Sequence, residues 1–265
     1  MFGRHEFVIR RVHSLLGLVP VGAFLAFHLF TNGSVFDGPA AFQTRVDQIY
    51  SVGPTTMMFL EWMFIYGPLL THGLLGMLIV MRGERNLAHY PYVGNVRYTL
   101  QRWTGVIAMI FIFYHVFHMS GWLRIDWWTK SVAEKFGGAK FDPQHAAESM
   151  AVAIRASWVL GVVYAVGMLS AVYHLANGLW TMGITWGVWS TPHAQRWANV
   201  PCALVGLALA MMGTSSLVGI YRLDLPPVHP KSAVEKTLEV QRTREVNLSR
   251  DLPPFQHAAS APGDI

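Results

Sequence analysis

His28, His72, His115 and His174 each fall inside a different long apolar segment of this 265-residue chain. An imidazole is a metal ligand or a proton carrier near neutral pH. An ionisable group inside a bilayer-length apolar segment is costly, which implies a use for it. One such histidine has a bland explanation as a hydrogen-bonded core residue. Four of them, one per segment, match two metal sites with two imidazole ligands each, and between membrane helices such sites suit haem. Two histidines saturate an iron and leave no open position, so the chemistry is electron transfer rather than oxygen or substrate binding.

The elements that must position these rings are membrane helices. The chain is 52% apolar and only 13% charged, against roughly 25% charged in soluble domains. Its formal net charge of +5 gathers at segment ends, where orientation signals belong, and forms no aromatic-lined patch for nucleic acid. The single cysteine, Cys202, excludes a disulfide within the chain and any iron–sulfur cluster held by the chain alone.

Five spans are expected, at Phe7 to Phe30, Thr56 to Met81, Leu100 to Trp122, Ala151 to Val188 and Val200 to Ile220. Each has the roughly 20 residues that a bilayer crossing requires. The first lacks a short apolar core followed by a small-residue cleavage site, so it reads as a retained helix. The fourth is longer than a crossing needs and is expected to project beyond the inner face. The fold class is therefore all-α: residues 1–221 form a five-helix transmembrane domain, the first four spans an up-down bundle around two haems. Residues 222–265, charged and containing Pro226, Pro227, Pro253 and Pro254, read as a largely disordered tail. Arg4, Arg10, Arg11, Arg82, Arg85, Arg97, Arg102 and Arg196 fall on one side and favour a cytoplasmic N-terminus, which places the C-terminus outside.

Depth and topology pair the histidines. At a rise of about 1.5 Å per residue, His28 and His115 lie roughly 20–25 Å from the inner ends of their spans, and His72 and His174 roughly 15 Å from theirs. In an up-down bundle the first and third helices share one diagonal, and the second and fourth share the other. The outer pair is then His28 with His115, and the inner pair is His72 with His174. Gly17, Gly22, Gly73, Gly76 and Gly178 lie near these rings and serve either cofactor clearance or helix packing.

The run from Phe7 to Gly17, with Pro20, Val21, Gly22 and His28, resembles the start of the di-haem cytochrome b anchor of succinate:quinone oxidoreductases. The resemblance continues in Leu100 to Gly105, Tyr114 to Val116, Tyr173 to Trp180 and Thr185 to Gly187, then in Thr191, Pro192, Gln195 and Arg196. It implies a membrane anchor of succinate dehydrogenase or fumarate reductase with His28, His72, His115 and His174 as axial ligands of two haems b. It also implies flavoprotein and iron–sulfur subunits docked on the cytoplasmic face, and a quinone acceptor, with menaquinone favoured over ubiquinone. The chain itself offers no succinate site, so its part in the enzyme is non-catalytic electron transfer. The 123–150 connection and the tail after Tyr221 depart from the family outline without touching a ligand motif.

Among the remaining candidates, His118 competes with His115 from one turn further out. His13, Ser14, Arg11 and Arg102 stand where haem propionates or a docked subunit would meet them, or simply mark the interface. Glu61, roughly one to two turns inside the second span, is a candidate to exchange protons with quinone near the outer haem, in a neutral form favoured by burial. A carboxylic acid hydrogen-bonded within the bundle is the alternative. Trp122, Trp127 and Trp128 read as an interfacial aromatic belt. Two other functions account for four membrane histidines: a di-haem cytochrome of another membrane oxidoreductase, or a transporter whose histidines relay protons.

Overall fold

The computed structural model describes residues 5–83, 89 and 92–224. Five helices among them are long and apolar enough to cross a membrane: α1 (Glu6–Asp37), α3 (Pro54–Arg82), α4 (Val93–Ser120), α6 (Trp158–Thr185) and α7 (Pro192–Arg222). Two shorter helices, α2 (Pro39–Tyr50) and α5 (Ala146–Arg155), belong to the connections between them. The assembly is a helical membrane bundle, with no strand among the described residues. The tail expected to be disordered lies almost wholly outside them.

Prolines set two local departures from α geometry. Pro20 lies inside the π-helical turn Gly17–Gly22 of α1, and Pro68 follows the π-helical turn Glu61–Tyr66 of α3. A proline inside a helix removes one backbone donor and crowds the preceding turn, and a π-bulge is one way for the helix to absorb this. Both bulges lie in spans that carry a histidine, and the second begins at Glu61.

Neighbouring spans run in opposite directions. Arg11, near the start of α1, reaches the carbonyl at the end of α6, at Thr185. Arg102, in the first half of α4, donates to the Val80 and Gly83 carbonyls at the end of α3. Leu29, Val172 and Leu209 form a buried contact between α1, α6 and α7, enlarged by Leu25, Met168 and Leu175. Many other large apolar residues on these helices are exposed, including Leu74, Ile110 and Leu204, as expected of side chains that face lipid.

The fourth span differs from expectation. The apolar run Ala151 to Arg155 belongs to α5; the chain turns at Ala156, and Ser157 caps α6 by accepting from the Val159 amide. The span ends at Thr185 after 28 residues, so it does not continue to Val188. Arg155 thereby lies on the face opposite the N-terminus, where it donates to the Ile220 and Leu223 carbonyls at the end of α7. Such a basic side chain satisfies carbonyls that have no partner within the helix.

The 123–150 connection is structured. With α2 and α5 it forms a cap over that face, in which Phe42, Val46, Ala146 and Ile154 are buried. Gln43 bridges the two helices, donating to the Pro143 carbonyl at 2.7 Å and accepting from the Ala146 amide at 3.0 Å. Asp142 and His145 pair at 2.9 Å, which lowers the pKa of the carboxyl and raises that of the imidazole. Phe42→Ala removes a fully buried ring, at a cost of roughly 3–5 kcal/mol. The expected result is faster proteolysis within residues 137–145 of the membrane-embedded protein; an unchanged cleavage rate would contradict the cap as described.

Candidate functional site

The four intramembrane histidines meet in two facing pairs. The His72 and His174 ring centroids are 6.1 Å apart, and those of His28 and His115 are 5.8 Å apart, with the rings close to perpendicular in both cases. This is the pairing that depth and diagonal anticipate. His118 joins neither pair: its Nδ1 is 2.8 Å from the Tyr164 hydroxyl, in a buried contact between α4 and α6.

The pair nearer the N-terminal face is held by one device used twice. His72 Nδ1 is 2.8 Å from the main-chain oxygen of His13, and His174 Nδ1 is 3.0 Å from that of Gln101. One turn beyond each acceptor the sequence has a glycine, Gly17 after His13 and Gly105 after Gln101. A Cβ on Gly17 would overlap the His72 ring, and one on Gly105 would fall 2.7 Å from His174 Cε1. The missing side chains are what let each ring lie against the neighbouring helix. With Nδ1 donating to a carbonyl, the lone pair of Nε2 remains available to a metal, the usual arrangement of a ligating histidine.

The other glycines divide differently. A Cβ on Gly22 would meet Leu175, on Gly73 Met109, on Gly76 the His13 ring, and on Gly178 Gln101. Gly22 and Gly73 therefore serve helix packing. His13 itself stacks on His72 with centroids 4.0 Å apart, so its contribution comes from both its ring and its carbonyl.

The second pair is less completely partnered. His115 Nδ1 is buried and has no hydrogen-bond partner among the described residues. His28 Nε2 is 3.0 Å from the Asn32 amide nitrogen. Aromatic rings surround the pair: Phe24 lies against His28, while Phe111 and Tyr164 lie against His115.

The polar candidates fall in different surroundings. Arg11 lies over the Phe7 and Trp186 rings, donates to the Thr185 carbonyl at 3.3 Å, and keeps a buried Nε without a partner. Ser14 accepts from the Trp186 indole at 3.1 Å and donates to the Arg11 carbonyl. Arg102 is engaged by the carbonyls at the end of α3. Glu61 has a partner that the sequence did not indicate: Arg124, from the loop after α4, donates to its Oε1 at 2.8 Å and lies 3.4 Å from the Tyr50 hydroxyl. Glu61 and Arg124 form an ion pair in which Glu61 is the less exposed member. Trp122 folds back on α4, against Phe113 and Phe117.

A five-helix bundle with a facing histidine pair at each of two depths defines a polytopic helical membrane protein. No family model matches the chain. It is, however, 34% identical over 217 residues to the succinate dehydrogenase cytochrome b558 subunit of Bacillus subtilis (strain 168), an alignment covering 82% of this chain and 98% of that protein. The chain belongs to the family of succinate dehydrogenase cytochrome b membrane-anchor subunits.

Gly105→Leu would drive a branched side chain into the space of the His174 ring. Gly94, whose Cβ position is open, provides the control on the same helix. The amount of folded chain recovered from membranes should fall severalfold for Gly105→Leu and little for Gly94→Leu; equal recovery would contradict the role assigned to Gly105.

Proposed function

We propose that this chain anchors succinate dehydrogenase through an iron–sulfur and a flavoprotein subunit docked on its N-terminal, cytoplasmic face, and that it carries electrons to a quinone. In this reading one haem b is held by His72 and His174 and a second by His28 and His115. The observation that carries it is the facing of four intramembrane imidazoles in two pairs. A metal–imidazole bond of about 2 Å on each side, added to the two ring radii, gives a centroid separation of roughly 6 Å, which both pairs match. The clearance at Gly17 and Gly105 and the orphaned His115 Nδ1 fit the same group. When bound, each haem supplies a one-electron carrier without an open coordination site.

The chain's own residues divide the remaining work. The His13 and Gln101 carbonyls orient the ligand rings of the cytoplasmic pair. Arg11 has the donor free for a haem carboxylate, its unpartnered Nε, and a charge-assisted hydrogen bond there is worth more than a neutral one. Ser14 acts through Trp186, which it holds in place beside Arg11. Arg102 is held through Nη2 at the end of α3, beside the same face of the bundle. At the second pair, His28 accepts a metal at Nε2 by releasing Asn32. Succinate chemistry belongs to the partner subunits.

Quinone reduction takes up protons as well as electrons. Arg124 and Tyr50 are donors for a quinone oxygen, and Glu61 is a carboxylate that takes up and delivers a proton beside them. They lie together on the face nearer the His28–His115 pair.

Haem-to-chain stoichiometry tests the ligand assignment. His174→Ala and His72→Ala should each remove one haem of two; two haems retained in either variant contradicts it. For the quinone site, Glu61→Gln should keep both haems and the reduction of a dye that intercepts electrons before the membrane. Quinone turnover in the same preparation should fall at least tenfold. Turnover at the wild-type rate with unchanged haem content shows Glu61 to be structural.

A further inference from the structure

Asn177 is a buried amide inside an apolar span, 4% exposed, and all of its polar atoms are engaged. Its Oδ1 accepts from Arg97 Nε at 2.9 Å and from a terminal guanidinium nitrogen at 2.7 Å, while its Nδ2 donates to Gln101 Oε1 at 2.8 Å. Gln101 Nε2 in turn donates to the His174 main-chain oxygen at 3.1 Å, and the Gln101 main-chain oxygen receives the His174 ring at 3.0 Å. Arg97 is fixed at its far side by Asn199 of α7, at 2.7 Å, and by the Trp180 ring, 3.9 Å away.

A buried amide left without partners costs about 1–3 kcal/mol, so some partner for Asn177 is required in any case. The direction of this chain is what a packing role does not explain. It runs from the end of the bundle inward and terminates on His174 at two points, the ring and the carbonyl. Gln101 is locked to the same residue through its main chain and its side chain. His72, the facing ring, has the His13 carbonyl and the stacked His13 ring, but no such side-chain chain behind its acceptor among the described residues. A hydrogen bond to the outer nitrogen of a ligating histidine fixes its tautomer and ring rotation and tunes the metal.

We propose that Arg97, Asn177 and Gln101 form a positioning relay that sets the orientation of the His174 ring and so tunes the group which His72 and His174 hold. The relay rests on the reading of His174 as a haem ligand, and none of its three residues touches the metal. Its elements are separable by substitution. Asn177→Asp keeps the acceptor for Arg97 but loses the donor to Gln101. Gln101→Glu keeps an acceptor for Asn177 but loses the donor to the His174 carbonyl.

The test is a redox titration and low-temperature electron paramagnetic resonance of the intact complex, wild type and both variants, with haem quantified in each. One signal, the one that His174→Ala removes, should shift in midpoint potential and in its largest g value in both variants. The other signal should stay in place. Selective loss of that one haem supports the relay as well, because it is the limiting case of a misplaced ligand. The proposal is overturned if both signals keep their wild-type positions with two haems bound. It is also overturned if both shift or vanish together, which is the mark of a general packing defect. A wild-type complex without two bis-imidazole signals would instead overturn the parent reading of the four ligands.

Discussion

The structure depends on one constraint: an imidazole inside an apolar bundle needs a polar partner, and for His72 and His174 that partner is a main-chain carbonyl of a neighbouring helix. Within a helix the main-chain carbonyls are already engaged, and their remaining lone pairs are screened by the side chain one turn on. Gly17 and Gly105 remove that screen above His13 and Gln101, and the rings of His72 and His174 dock there. Each contact joins two spans, α1 with α3 and α4 with α6. The same hydrogen bonds that make the histidines tolerable in the membrane therefore fix which helices are neighbours and at what height.

The two pairs use this constraint unequally. At the N-terminal face every ligand nitrogen that is turned away from the partner ring has an acceptor, and a side-chain network extends the support to α7 through Arg97 and Asn199. At the opposite pair, His115 has a buried nitrogen with no partner and His28 relies on Asn32 one turn away. The first site is largely preorganised by protein. The second is less preorganised by protein, because His28 gives up Asn32 to offer Nε2 and His115 keeps a buried Nδ1 without a partner among the described residues. The cap of α2 and α5 lies on that same side of the bundle.

Much of this was legible in the residues. One histidine per apolar segment, counted from the segment ends, is enough to anticipate which rings face one another, because helical rise converts sequence distance into depth. The start of the fourth span was not legible, because Ala151 to Ile154 is apolar enough to be read as part of it and only the Ser157 cap divides it from α6. Nothing local connects Arg124 to Glu61, 63 positions away. His13 stands in the sequence as a group for a propionate or a docked subunit, whereas its ring and its carbonyl both meet His72, and a backbone acceptor leaves no mark on residue type. The matched spacing of His13 to Gly17 and of Gln101 to Gly105 was visible, but it acquires meaning only once a ring from another helix is seen to lie on each.

The central claim is that each facing pair closes on one iron. The most direct measurement is haem quantitation of the wild-type complex, combined with electron paramagnetic resonance of its oxidised form. The account predicts two haems b per chain, both six-coordinate and low-spin with two imidazole ligands. A single haem per chain, or a high-spin signal from an iron with an open position, would contradict it.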